Sequence, residues 1–153
     1  MINKFMNNKN TFIKLDIGCG KHKVSGFIGV DIEKDSDADI VASALDLPFD
    51  TNSVDEIHSS HLVEHFDTNE LIKFFSEINR VLKKGSSAFL KVDTDWTKRI
   101  LLRKDLTHKH RYSVKELKKI LQPFNFNQSK VKRKIYLIER RYLRNKIFIE
   151  LVK

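Results

Sequence analysis

Cysteine is almost missing from this chain, with Cys19 standing alone among 153 residues. A single thiol excludes an internal disulfide and fits a reducing compartment. Proline is nearly as scarce, at Pro48 and Pro123, and glycine occupies only five positions. No Pro/Ser-rich linker, internal repeat or low-complexity block therefore divides the chain. No apolar run approaches the roughly 20 residues that span a bilayer. The opening MINKFMNNKN lacks the apolar core of a signal peptide. These absences predict one cytoplasmic domain over residues 1–153, with 1–11 an extension ahead of the first strand.

Charge is abundant and unevenly placed. Residues 1–76 hold 7 Lys/Arg against 13 Asp/Glu, whereas residues 77–153 hold 22 against 7. The basic half suits an anionic partner: a phosphorylated small molecule, RNA or an anionic membrane surface. It equally suits a solvated lysine-rich face. Tyr112, Tyr136 and Tyr142 are interleaved with these cations, as stacking on nucleobases would require. Arg111, Arg140 and Arg141 could bind phosphates, and Arg140-Arg141 falls near the turn of a last hairpin.

Short apolar runs rich in β-branched and aromatic residues predict seven strands: Phe12–Ile17, Phe27–Ile32, Ile40–Ala42, Val54–His58, Ala88–Val92, Val131–Ile138 and Ile147–Val152. Several are apolar enough to lie inside a sheet. Asp67-Thr68-Asn69-Glu70 has capping-box logic and opens a helical period at Leu71, Phe74, Phe75, Ile78, Val81 and Leu82. Lys83-Lys84-Gly85 reads as its basic last turn and C-cap glycine. Ser113-Val114-Lys115-Glu116 is a second capping box, opening a helix to about Leu121 that Pro123 stops. A weaker helix is expected over Trp96–Arg103. Strands outnumber helices, and the connections Ile17–Phe27, Ile32–Ile40 and Ala42–Val54 are too short for long crossover helices. One sheet face in the first half is then thinly covered, and a second copy of the chain or residues Met1–Asn10 would cover it.

The stretch LDIGCGKHKVSGFIGVDIEKD, Leu15 to Asp35, carries the most chemistry. Gly18 and Gly20 follow a buried-looking strand, where the backbone must turn sharply and a ligand can approach without a Cβ in its way. Asp31 ends the next strand, where a carboxylate can accept both hydroxyls of a ribose. Only ten residues separate Gly20 from Asp31, and His22 stands where a third fingerprint glycine would fall. That glycine normally lets a helix pack close to its strand, so its absence and the missing helix are one departure. Cys19 has no base beside it and reads as a small turn residue. His61-Leu62-Val63-Glu64-His65 fits the inverted zinc-protease pattern, but that chemistry needs both histidines on one helical face and a third ligand. Here the pentamer follows a strand, so no metal is assigned.

Six short motifs in order resemble the class I S-adenosylmethionine-dependent methyltransferases, in particular small, shortened type 11-like members. They are Leu15–Gly20, Gly29–Ile32, Leu47-Pro48-Phe49, Ser53-Val54-Asp55, Leu62–His65 and Val81–Gly85, and the likeness runs on through Asp105–Leu121. The resemblance implies an α/β fold, a Rossmann-like, mostly parallel seven-stranded sheet whose last strand is antiparallel, with reduced helices in its first half. It implies S-adenosylmethionine as cofactor. Asp16 and Gly18, Cys19 and Gly20 would form the turn around its methionine and ribose. Asp31 would hold the ribose, Ile32 would pack on the adenine, and Ser43, Ala44 and Leu45 would line it. Members often carry an acidic residue where Ser43 stands. Ser60 and His61 would border the methyl end. A base is needed only for a hydroxyl or protonated amine acceptor. The candidates are His61, Glu64, His65, Asp93 and His108, with His108 and His65 ahead because imidazole takes a proton near neutral pH. The implied reaction is methyl transfer to a small, phosphate-bearing or glycan-type acceptor. The alternatives are an RNA methyltransferase, or a catalytically silent module that binds cofactor or partner.

Overall fold

The structure, a computed structural model, describes residues 12–93, 107–138 and 142–153, with backbone only for 135–138 and 142–145. The expected helix over Trp96–Arg103, the pair Arg140-Arg141, the side chains of Tyr136 and Tyr142 and the segment Met1–Asn10 lie outside what is described.

Seven strands form one sheet: β1 (Lys14–Ile17), β2 (Ile28–Asp31), β3 (Ile40–Val41), β4 (Val54–Ser60), β5 (Leu82–Asp93), β6 (Gln128–Ile138) and β7 (Tyr142–Val152). Their order is β3-β2-β1-β4-β5-β7-β6. The pairs β1–β2, β1–β4, β2–β3 and β4–β5 are parallel, and β7 runs antiparallel to both β5 and β6. This is the Rossmann-like sheet with its antiparallel last strand.

Both capping boxes form. Helix α1 (Thr68–Val81) is capped by Asp67, which accepts from Glu70 N at 2.9 Å while Glu70 accepts from Asp67 N at 2.8 Å. Helix α2 (Val114–Leu121) is capped in the same way by Ser113 and Glu116. Lys83-Lys84-Gly85, by contrast, is not a helix end. Leu82 is the cap and already extended, and all three residues belong to β5. Tertiary bonds outweigh the local dipole argument here. Lys83 Nζ donates to Asp55 at 2.7 Å, and Gly85, at φ +81°, donates its N–H to the Lys153 carbonyl at 2.7 Å. The glycine bends a strand instead of closing a helix.

Between β1 and β4 no helix forms, and this leaves the sheet one-sided. Strand side chains alternate between two faces. On one face Leu15, Ile17, Val30, Ile57, Ala88, Leu90, Val92, Val131, Ile147, Ile149 and Leu151 are buried. They join Leu71, Phe74, Phe75, Ile78 and Val81 of α1, Leu117 and Leu121 of α2, and Leu47 and Phe49 of the β3–β4 connection in a single core. Arg80 fixes that connection by donating to the carbonyls of Phe49 and Leu47 at 2.7 and 2.9 Å. Among the described residues, no helix covers the opposite face.

What does cross the opposite face is the turn that replaces the first crossover helix. Asp16 points out of β1 on this side and accepts from Val24 N and His58 Nδ1, each at 2.8 Å. Asp39 accepts from Gly29 N at 2.7 Å and from Lys23 Nζ at 2.8 Å. Burial alone would raise the Asp39 carboxyl, but the Lys23 ammonium and the Gly29 N–H bring it below its ordinary value. Gly29 lies under this turn: a Cβ there would stand 2.7 Å from Lys23 Cδ and 3.0 Å from Cys19 Sγ. The turn lies flat because Gly29 has no side chain.

Candidate active site

Parallel pairing gathers the carboxyl ends of five strands, β3, β2, β1, β4 and β5. Ile17 pairs with Val30 on one side and Ser59 on the other, so Gly18 emerges between Asp31 and Ser60. Here the chain turns left from β1 to β2 and later right from β3 to β4, and such a switch point opens a crevice in α/β sheets.

Gly18 N donates to the Val30 carbonyl at 2.8 Å. Its φ of +72° is left-handed, and a Cβ would meet both Leu62 Cδ atoms at 3.0 Å. Gly20, at φ +53°, has nothing within 4 Å of a Cβ position, so this side of the turn is open. Asp31 Oδ2 accepts from Gly20 N at 2.8 Å and Oδ1 from Glu33 N at 2.9 Å, which fixes its carboxylate against the glycine turn. Ile32, one residue on, is 66% exposed, an apolar side chain with nothing over it. Ser43 Oγ accepts from Leu45 N at 3.1 Å, so its hydroxyl shapes the Ser43-Ala44-Leu45 turn after β3.

Cys19 is buried within this turn, and desolvation, with Asp31 and Asp16 nearby, pushes its thiol up to about 11. Its thiolate is scarce at neutral pH. Iodoacetamide labelling should therefore be slow at pH 7.5 and keep accelerating with pH beyond 10, followed by mass spectrometry. A plateau near pH 9 would contradict the buried placement.

The three candidate histidines fall into two groups. His61 takes φ +60°, a left-handed conformation uncommon outside glycine. Its Nδ1 donates to Glu64 Oε1 at 3.2 Å and lies 3.6 Å from Asp93 Oδ2. Lys146 Nζ, on β7, donates to His61 Nε2 at 3.0 Å and to Asp93 Oδ2 at 3.1 Å. Glu64 is fully buried, and its Oε2 has no hydrogen-bond partner among the described residues. His65 instead shares a 2.8 Å hydrogen bond with Thr107 Oγ1 and meets the His108 ring edge-on, centroids 4.8 Å apart. The segment after Thr107 is tied to Glu64 by Lys109 N, which donates to the Glu64 carbonyl at 2.9 Å.

The zinc-protease geometry is thus not formed. His61 and His65 have separate partners, and Val63–His65 is a single 3-10 turn. Ligand atoms of His61, Glu64 and Asp93 do lie within 4.8 Å of one another, but the Lys146 ammonium already supplies positive charge to that cluster. Lys146 escaped the sequence reading. In NKIFIELV it is one more lysine in a basic half, and only the pairing of Asp93 with Lys146 across β5 and β7 makes it 6% exposed. Tyr112 is a correction of another kind. It is 2% exposed and its hydroxyl donates to the Phe66 carbonyl at 3.0 Å. It is core and cannot stack on a base.

Residues 15–90 match the family described as "Methyltransferase domain". No curated protein matches the chain. Among solved structures, a SAM-dependent methyltransferase from Archaeoglobus fulgidus is 22% identical, with 99% of this chain and 89% of that one covered at a TM-score of 0.73. A SAM-dependent methyltransferase from Methanosarcina mazei is 20% identical, with 99% and 96% covered and a TM-score of 0.69. Haemonchus contortus phosphoethanolamine N-methyltransferase 2, in complex with S-adenosyl-L-methionine, is 17% identical, with 99% and 51% covered and a TM-score of 0.68. With the glycine turn, the strand-end aspartate and the β3-β2-β1-β4-β5-β7-β6 order already in place, the chain belongs to the class I S-adenosylmethionine-dependent methyltransferases.

Proposed function

We propose that the chain binds S-adenosylmethionine along the rim from Gly18 to Ile32 and transfers its methyl group to an acceptor that enters beside His61. The observation that carries this reading is the pairing of a fixed strand-end carboxylate, Asp31, with an uncovered apolar neighbour, Ile32, at 66% exposure. Asp31 would take the ribose hydroxyls and Ile32 the adenine face, with Ser43, Ala44 and Leu45 along its edge. Gly18, Cys19 and Gly20 would border the methionine, with Asp16 holding the turn from behind. Gly20 leaves the room, since a Cβ there would meet no atom within 4 Å.

When bound, S-adenosylmethionine supplies a methyl group already activated on a sulfonium, so alignment of the acceptor carries much of the rate. Ser60 and His61 would border that methyl. Glu64 fixes the Nδ1–H of His61 and so leaves Nε2 as its proton-accepting atom, now facing Lys146. An acceptor that displaces the Lys146 ammonium could pass a proton to that nitrogen. His65 and His108 form a second imidazole pair on the adjoining segment. Lys146 favours an acceptor with an anionic group, in keeping with a small, phosphate-bearing or glycan-type molecule. The Haemonchus contortus enzyme of the same fold is seen with phosphomonomethylethanolamine.

Isothermal titration with S-adenosylmethionine tests the first half, and saturable binding at one site is expected. Incubation with methyl-labelled cofactor and fractionated cell extract tests the second. Absence of binding would sink the proposal; binding without any transfer would leave a silent cofactor-binding module.

A further inference from the structure

Two segments flank the proposed cofactor rim: Gly18–Lys23, which follows β1, and Glu33–Asp39, which follows β2. They are joined at two points. Asp37 N donates to the Gly20 carbonyl at 2.7 Å. Lys23 Nζ donates to both carboxylate oxygens of Asp39, at 2.9 and 2.8 Å. Asp39 is in turn locked to β2, because its N–H donates to the Gly29 carbonyl at 2.9 Å and its carboxylate accepts from Gly29 N at 2.7 Å. Lys23 reaches Asp39 by passing over Gly29, where a Cβ would stand 2.7 Å from its Cδ and 3.2 Å from its Cγ. The neighbouring Val24 N is held by Asp16 at 2.8 Å. Paired local bonds thus fasten the glycine turn where a crossover helix would otherwise pack against it.

The Lys23 and Asp39 side chains are 28% and 33% exposed. An ion pair that meets this much water adds little to global stability. Its consequence is local. A turn without a packed helix opens at low cost, and a binding rim keeps its shape only when the residues behind it are themselves held. We propose that Lys23 and Asp39 are positioning residues, whose ion pair latches the glycine turn to the β2–β3 connection and keeps Gly18, Gly20 and Asp31 arranged to receive the cofactor. The latch itself needs no cofactor. Its effect on cofactor affinity rests on the rim proposed above.

Cys19, the only cysteine, reports on the latch, because its Sγ and Lys23 Cδ flank the same point over Gly29. The first measurement is iodoacetamide labelling of the full chain at pH 9 without cofactor. Lys23→Met keeps the apolar stem and removes the ammonium, and Asp39→Asn removes the opposite charge. Both should label at least about 3-fold faster than the parent, while Lys23→Arg keeps the parent rate. Loss of a nearby positive charge would by itself raise the thiol and slow labelling, so acceleration marks an opened turn. Urea midpoints should be nearly unchanged. The second measurement is isothermal titration, in which Lys23→Met should bind S-adenosylmethionine and S-adenosylhomocysteine each about 5-fold more weakly, with Lys23→Arg restoring both. Charge alone would instead strengthen binding of the sulfonium cation and leave the uncharged thioether unaffected. Unchanged labelling in Lys23→Met would overturn the proposal. So would accelerated labelling at parent affinity, or a urea midpoint that falls in step with the labelling rate. A parent chain that binds neither ligand would overturn the cofactor reading alone, and the labelling rates would still decide the latch.

Discussion

Asp31→Ala should bind S-adenosylmethionine on the order of 100-fold more weakly than the parent chain, read by isothermal titration. Two losses combine in that figure. A carboxylate that accepts both ribose hydroxyls makes charge-assisted hydrogen bonds, each about 1.5–3 kcal/mol. The same carboxylate accepts from Gly20 N at 2.8 Å and from Glu33 N at 2.9 Å, so its removal also loosens the glycine turn. Asp31→Asn separates the two. Its amide oxygen can still accept one backbone N–H, but the charge is gone, and an intermediate loss is expected. Affinity retained in both variants would move the ribose elsewhere on the rim.

Phe74→Ala should cost about 3–5 kcal/mol of unfolding free energy, the range for deleting a buried aromatic ring. Against a total of about 5–15 kcal/mol for a domain, that approaches the whole stability. The one-sided sheet is the reason for ranking it so high. Phe74 is fully buried, its ring 5.2 Å from Phe66 and 6.0 Å from Phe75, in the one core that holds α1 to the sheet. Among the described residues no second layer shares the load. Phe89→Ala, on the other face of the same sheet, should change stability by less than about 1 kcal/mol. Urea denaturation of the pair measures the asymmetry directly, and equal losses would mean that something buries Phe89 in solution.

The glycine turn and strand-end aspartate of the proposed cofactor rim were legible because their requirements are local. A strand, two glycines, a second strand and an aspartate are successive in the chain, and the short gap from Gly20 to Asp31 already ruled out a crossover helix. The two capping boxes were equally local, since Asp67 with Glu70 and Ser113 with Glu116 bond across three residues. Lys83-Lys84-Gly85 misled for a related reason. As a tripeptide it is a good helix end, but Asp55 and Lys153, distant in sequence, hold it in a strand.

The cluster proposed to meet the acceptor was legible only in part. His61 and Glu64 share one pentamer, but no spacing rule links them to Asp93 on β5 or Lys146 on β7. His65 and His108 are as good as His61 on paper. Only the fold gives His61 the left-handed backbone and the buried lysine and sets the other two against each other.

By itself the sequence determined where the strand segments fall, where α1 and α2 begin, and that the first crossover is a turn. Each rests on periodicity, capping or glycine geometry, which act over a few residues. Tertiary structure alone decided that Phe89 faces outward while Phe74 and Tyr112 face inward. An aromatic ring carries the same apolar signal on either face of a strand. Which face is buried depends on where α1 and α2 pack, and that is settled by contacts between residues far apart in the chain.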